Sequence, residues 1–329
     1  MTSFTALMLT QAGRNTEATL AALDESALPE GNVYVRVEYS SLNFKDALAI
    51  TGRGAIVKRW PLVPGIDLAG IVERSEHADW KAGDRVVVNG WGLGETHWGG
   101  LAQRARLNGD WLLALPTAYD SRQAMAIGTA GYTAALCVMA LQRHGLTPSD
   151  GPVLVTGASG GVGSVAVVLL AGLGFQVAAS TGRAEQADYL RNLGAAEIVE
   201  RASMASAGKP LQSECWAGVV DTVGSHTLAN ACAATRWNGA IAACGLAQGA
   251  DLPATVLPFI LRGVTLYGIN CVYTPNAKRT QAWALLAQHL PVATLARMTH
   301  EIGLSEAIAA SGDLLDGQLW GRTVVAVDR

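Results

Sequence analysis

The chain has 329 residues, half of them hydrophobic and 16% charged, with a formal net charge of −3. That length accommodates two domains with sizeable cores. The absence of any long Lys/Arg block leaves no electrostatic footprint for nucleic acid or an anionic membrane, so neither is expected as a partner.

Residues 1–10 have no basic cluster leading into an apolar run and no small-residue cleavage site, and a cytoplasmic address is expected. In residues 32–39, Val33, Val35 and Val37 alternate with Tyr34, Arg36 and Glu38, the period of a half-buried strand. Further β-rich runs at 68–73, 85–89 and 111–115 are separated by Gly, Pro and Asp, so the first ~115 residues read as an irregular β-domain. After Pro116 the texture changes. Residues 121–141 have helical spacing, followed by a strand at 153–156, a helix at 162–173, a strand at 176–180 and a helix at 184–193. Strands at 216–221, 239–244 and 264–269 continue the alternation expected of a parallel sheet. A helix at 281–290 and a closing strand at 321–327 suggest that the last ~60 residues return to the first domain. The apolar stretch 153–173 is broken by glycines and serines and reads as soluble core rather than a membrane span. Five cysteines, without a C-x-x-C pair, read as buried thiols of a reducing compartment.

The run Thr156-Gly157-Ala158-Ser159-Gly160-Gly161-Val162-Gly163 lies between a β-branched strand and an apolar helix, the context of a dinucleotide turn. Gly160 and Gly161 remove side chains where backbone approaches a pyrophosphate, Gly163 lets helix and strand pack closely, and the helix N-terminus offers unpaired N–H groups. Ala158 stands where G-x-G-x-x-G has its first glycine, so the fingerprint is a variant. The next strand ends in Ser180-Thr181-Gly182-Arg183 rather than the Asp or Glu that binds the ribose hydroxyls of NAD. A hydroxyl and a guanidinium fit the 2′-phosphate of NADPH better. Arg201, after the following short strand, is a candidate second charge. The bland alternative for Arg183 is that it merely caps a solvated helix start.

Five further motifs accompany this turn: 40–47 (SSLNFKDA), 64–70 (PGIDLAG), 89–92 (NGWG), 97–100 (HWGG) and 127–134 (IGTAGYTA). Together they resemble medium-chain dehydrogenase/reductases of the zinc-free quinone oxidoreductase branch, and within it the acrylyl-CoA reductase (NADPH) subgroup, over essentially the whole chain. The resemblance implies an α/β architecture: a Rossmann doubly wound parallel sheet at 119–271, and a GroES-like irregular β-barrel catalytic domain from 1–118 with 272–329. It also implies that Phe44, Thr129, Leu246, Asn270 and Arg322 contribute to the cofactor site, alongside Ser159, Val162 and the glycines of the turn. Zinc-dependent members carry Cys and His where this chain has Asn43 and Ile66, and no Cys precedes Cys137, so no metal is expected.

The reaction implied is NADPH-dependent reduction of an activated carbon–carbon double bond, with acrylyl-CoA as the first candidate substrate. A quinone or enone reductase and a non-catalytic NADPH-binding protein are the alternatives. Asn43 and Lys45, two residues apart on one loop that continues into Asp46, are candidate donors to an enolate-like transition state; Asn43 as a turn cap and Lys45 as a solvated side chain are the bland alternatives. Asp67 either orients a donor or ties down its loop. By the resemblance, Asp46 pairs with Arg322. Arg53, Lys58 and Arg59 are a candidate phosphate cluster for a CoA ester, or an ordinary solvated loop. The strand at 264–269 should be the sheet edge, where pairing with a second copy would give a homodimer.

Overall fold

The computed structural model of the chain describes residues 3–13 and 15–329; residues 1, 2 and 14, which the expected first domain includes, lie outside the described residues. The chain forms two compact units. The first contains the described residues through Thr129, then Cys271–Thr280 and Leu295–Arg329; the second contains Ala130–Asn270 and Gln281–Thr294.

The first unit begins with an antiparallel hairpin of β1 (Ser3–Ala12) and β2 (Asn15–Asp24). Then β3 (Val33–Leu42) leads directly into α1 (Phe44–Thr51). Next come β4 (Asp67–Ser75), β5 (Arg85–Asn89), β6 (Arg104–Leu107) and the two-residue β7 (Leu113–Ala114). The alternation read in the sequence is real: Val33, Val35 and Val37 are fully buried, with Leu68, Val86 and Leu107 in the same core. The run expected at 111–115 is mostly not strand. Asn108 accepts from the Asp110 N–H and closes a 3₁₀ turn over Gly109–Trp111, which removes those residues from the ladder. A second departure matters more for function. Residues 43–46, expected as a loop, are the N-cap and first turn of α1.

The helix α2 (Ser121–His144) is interrupted at Gly128, whose φ of 53° and ψ of −162° lie outside any helix. Among the described residues it is the one helix long and apolar enough to cross a membrane, but 94% of its apolar window is buried within the fold.

The second unit is built on β8 (Val153–Val155), α3 (Gly161–Gly172), β9 (Val177–Thr181), α4 (Ala187–Asn192), β10 (Glu197–Glu200), β11 (Trp216–Asp221), α5 (Ser225–Ala234), β12 (Thr235–Ala243), α6 (Leu257–Arg262) and β13 (Thr265–Gly268). Its six strands are all parallel and run in the order β10-β9-β8-β11-β12-β13. This is the doubly wound Rossmann arrangement, with the reversal of strand order at β8 and β11. The helix expected at 184–193 is a 3₁₀ turn followed by α4, and α5 and α6 carried no signal that separated them from the neighbouring strands.

The chain then runs through α7 (Asn276–His289) and α8 (Val292–Arg297), and returns to the first unit's sheet with β14 (Thr299–Gly303), α9 (Ala307–Leu315) and β15 (Arg322–Ala326). Residues of β15 pair with β3 antiparallel and with β14 in parallel, completing a seven-stranded sheet. The stretch Gln281–Thr294, expected with the first domain, packs with the second unit because Trp283, Leu286 and Leu290 are buried there. At the start of α7, Arg279 is 1% exposed and donates to the carbonyls of Asn89, Cys271, Val272 and Thr274, with its guanidinium 4.5 Å from the Trp91 ring centroid. That fixes the 271–274 segment against the end of β5.

Candidate active site

In the first unit, three charged side chains and two polar ones converge where β3, β4, β15 and the broken α2 meet. Asp46, Asp67 and Arg322 are all buried, as are Ser41 and Asn43. Asp67, the first residue of β4, accepts from the Ser41 N–H at 3.1 Å, from the Ser41 hydroxyl at 2.8 Å and from the Thr129 N–H at 2.7 Å. Asp46 reaches back from the first turn of α1 to accept from Asn43 N–H at 3.0 Å. Its other oxygen accepts from the Gly65 and Ile66 N–H groups at 3.1 and 2.9 Å. Each carboxylate therefore ties two segments together, as a brace should.

The expected Asp46–Arg322 pair is not a direct contact. Arg322 donates instead to the Ala126 carbonyl, to Asn43 Oδ1 at 3.3 Å and to the Ser41 hydroxyl at 2.9 Å. The Asn43 amide nitrogen in turn points at Asp46 Oδ2 at 3.0 Å, Asp67 Oδ2 at 3.3 Å and Ser41 Oγ at 3.1 Å. Asn43 thus couples the guanidinium to both carboxylates. Its amide hydrogens face acceptors inside the cluster, which removes the free donor that the sequence reading gave it.

Two carboxylates and one guanidinium in a dry pocket are not balanced. Burial first, and then the charge of Asp67, push the Asp46 carboxyl up to about 7, against the pull of its N–H donors. Burial pulls the Arg322 guanidinium down, opposed by the two carboxylates.

Lys45 leaves this cluster. Its ammonium pairs with Glu95, 50 positions away in the chain. Phe44, beside it, is 43% exposed at the start of α1. The three cations once grouped together separate: Arg53 pairs with Asp316 at 2.7 Å, Lys58 donates to the Ala55 carbonyl, and Arg59 lines a groove with Trp98 and Trp111. They form no common phosphate cluster. Among the described residues, no three His, Cys, Asp or Glu side chains group as metal ligands.

In the second unit, the glycine turn has the shape a dinucleotide needs. Gly160 is the N-cap of α3 and supplies no side-chain cap, so the N–H groups of Gly161, Val162 and Gly163 face outward from the first turn without a helical partner. A Cβ on Gly163 would lie 2.6 Å from the Ala158 Cα. The backbone therefore approaches as closely as the third glycine of the fingerprint requires. The tight bend belongs to Gly157, at φ 58°, which explains how Ala158 is tolerated.

At the end of β9, Ser180 and Thr181 are buried, and Ser159 Oγ lies 3.3 Å from Thr181 Oγ1. A Cβ on Gly182 would meet the Arg201 guanidinium at 2.5 Å, so Arg201 lies directly over the strand end, which Arg183 follows in the chain. The residues present fit a phosphorylated ribose: Arg183 and Arg201 at the end of β9, and no carboxylate among residues 180–183. Leu246, 57% exposed, and Asn270, also exposed, follow β12 and β13 in the same unit. Tyr132 is fully buried and belongs to the core.

Sequence reasoning missed the parts of the site that carry no functional side chain. Gly128 is the clearest: a Cβ there would meet Arg322 at 2.5 Å, Ser41 Oγ at 2.7 Å and Asp67 at 3.0 Å. Its backbone lies in a region open essentially to glycine alone. Gly128→Ala is expected to lose about 2 kcal/mol or more in denaturant unfolding. Gly145→Ala, also at positive φ but facing open space, isolates the backbone cost and should lose less; equal losses would mean that the cluster yields freely.

The Asp46 carboxyl has a folded-state pKa above its ordinary value. Its contribution is therefore full below the usual carboxylate range and is lost as pH rises through about 7. Stability should fall between pH 5 and 7 with a slope of up to about 1.4 kcal/mol per pH unit from this group. Asp46→Asn should be less stable overall but flatter across that interval. An unchanged slope would mean that Asp46 stays ionised in the fold.

Two family models match: an alcohol dehydrogenase GroES-like domain over residues 29–117 and a zinc-binding dehydrogenase domain over residues 161–288. The second description names a metal, yet Asn43 and Ile66 stand where the zinc-dependent members carry ligands, and those positions offer no thiolate or imidazole. Acrylyl-CoA reductase AcuI of Ruegeria pomeroyi is 52% identical over 314 residues, covering 95% of each chain. A putative quinone oxidoreductase, YhfP of Bacillus subtilis, is 41% identical over 326 residues, covering 98% of this chain and 99% of YhfP. The crystal structure of Escherichia coli K-12 YhdH with bound NADPH superposes with a TM-score of 0.96 at 52% identity, covering 98% of this chain and 99% of that one. By sequence, fold and the shape of its glycine turn, this chain belongs to the medium-chain dehydrogenase/reductase family of oxidoreductases, in the group that contains the acrylyl-CoA reductases AcuI.

Proposed function

We propose that the chain reduces the activated double bond of acrylyl-CoA to propionyl-CoA with NADPH. The observation that carries the substrate is the 52% identity to AcuI along 95% of both chains. The cofactor is supported by the N–H groups at the start of α3 and by Arg183 and Arg201 at the end of β9. NADPH, when bound, supplies a hydride to the β-carbon of the thioester. As the C–H bond forms there, the π pair moves onto the thioester oxygen, and a proton must reach the α-carbon to complete the saturated product. Hydrogen-bond donation to that oxygen is the largest help a protein can give such a step. Lys45 is the donor proposed, because its ammonium lies outside the closed cluster and remains part-exposed. Asn43, Asp46 and Asp67 act one step removed, by fixing the first turn of α1 from which Lys45 projects. Reduction of a quinone is the second reading, favoured by the 41% identity to YhfP; it would need the same cofactor contacts but no thioester site.

Turnover with acrylyl-CoA, crotonyl-CoA and a benzoquinone, measured side by side by NADPH oxidation, tests the substrate. Activity with the quinone alone would overturn the first reading. For the cofactor, Arg183→Ala and Arg201→Ala should each weaken NADPH roughly ten- to hundred-fold while leaving NADH nearly unchanged, since a charged hydrogen bond contributes ~1.5–3 kcal/mol. Equal losses for both cofactors would assign these arginines to the fold or the adenine.

The proposal includes a cytoplasmic homodimer formed through β13, which among the described residues pairs with β12 and ends the sheet. Val256, Ile260 and Leu261, each at least 60% exposed, form an apolar patch on and beside α6 near that edge. A continuous sheet across two copies would cover both features. Light scattering should give twice the chain mass, with Ile260→Glu shifting it toward one chain; a wild-type monomer at micromolar concentration would remove the dimer from the proposal.

A further inference from the structure

We propose that Glu95 is a positioning residue that holds the Lys45 ammonium in place for its donor role; the inference rests on the reductase reading above. Its first support is that Lys45 sits where the helix does not want it. In the first turn of α1, the macrodipole disfavours a cation and favours an anion such as Asp46. A lysine placed against a local preference calls for a reason outside the helix.

The second support is where its side chain goes. Lys45 pairs with Glu95, 50 positions away in the chain, and the two side chains are 30% and 21% exposed. Ordering a lysine and a glutamate together costs rotamer freedom that a surface pair recovers only marginally. The pair is also unnecessary for holding either element. The first turn of α1 is already fixed by Asp46, which accepts from Asn43, Gly65 and Ile66. The Glu95 turn is closed by its own backbone: the Gly92 carbonyl accepts from the N–H groups of Glu95, Thr96 and His97, and Gly94 donates to the His97 carbonyl. The Glu95 carbonyl in turn accepts from Lys58 at 2.8 Å. Two independently rigid platforms thus present one carboxylate and one ammonium to each other. What the contact adds is the direction in which Lys45 points.

This geometry defines a division of labour among residues 43–46. Asn43 and Asp46 turn inward and are consumed by the buried cluster. Lys45 turns outward and is aimed by Glu95. A donor displaced by about 1 Å can lose on the order of 10²-fold in rate, so loss of the aim should be read in turnover rather than in folding.

The test uses the full chain with NADPH and acrylyl-CoA, in wild type, Glu95→Gln, Lys45→Met and the double variant. Glu95→Gln is expected to lower kcat about 10- to 100-fold, with KM for acrylyl-CoA, NADPH affinity and thermal midpoint little changed. In the Lys45→Met background the same substitution should cost nothing further, because Glu95 acts only through Lys45. An additive loss, or a loss matched by a fall in thermal midpoint, would overturn the proposal and make Glu95 a structural residue. A second measurement needs no turnover. Reductive methylation with formaldehyde and cyanoborohydride, followed by peptide mass spectrometry, should label Lys45 several-fold faster in Glu95→Gln than in wild type. Equal labelling would show that Glu95 does not hold the ammonium and would overturn the proposal by itself. Absence of wild-type turnover with every thioester, together with accelerated labelling, would instead overturn the reductase reading and leave only the hold.

Discussion

The first unit depends on a shortage of positive charge. Asp46 and Asp67 are withdrawn from water and share a single guanidinium, Arg322, which touches neither of them directly. Buried carboxylates are tolerated only when donors surround them, and here the donors are drawn from every neighbouring segment: the end of β3, the 64–66 turn, the break in α2 and the cap of α1. The same hydrogen bonds that satisfy the charges therefore fix the relative positions of these segments. Asn43 is central because a carboxamide can accept from Arg322 with one end and donate to both aspartates with the other.

Gly128 is the structural cost of this arrangement. An unbroken α2 would direct its backbone N–H groups to its own carbonyls. At Gly128 the chain leaves the helix, and the Thr129 N–H becomes available to Asp67. No side chain fits there, because Arg322, Ser41 and Asp67 already occupy the space. Break, carboxylate and guanidinium form one unit, and each is intelligible only with the others.

The second unit follows a different logic, in which the backbone prepares a place for an anion. Its turn withholds side chains from the start of α3, so the N–H groups there stay open, and it brings two arginines to the end of β9. Arg201 reaches the position because β10 pairs with β9 in a register that sets Glu200 against Thr181, which carries the next residue beside Gly182.

Hydrophobic periodicity determined the architecture: the alternating valines of β3, the strand–turn–helix at residues 153–172 and the β-rich ends were all legible, because strands and helices have fixed periods and glycine turns have fixed chemistry. The residue types at the turn and at the end of β9 likewise determined the kind of cofactor. What the sequence left open was every contact between distant residues. The sequence pairs Asp46 with Arg322 only through its family resemblance, and only the tertiary structure interposes Asn43 between them, since the positions are 276 apart and periodicity says nothing across such a distance. It read residues 43–46 as a loop because α1, at eight residues, is too short to display a clear helical period and is held by Asp46 rather than by propensity. The partner of Lys45 was invisible for the same reason. A lysine and a glutamate 50 residues apart become a pair only when two rigid turns are folded against each other, and that is a property of packing rather than of spacing.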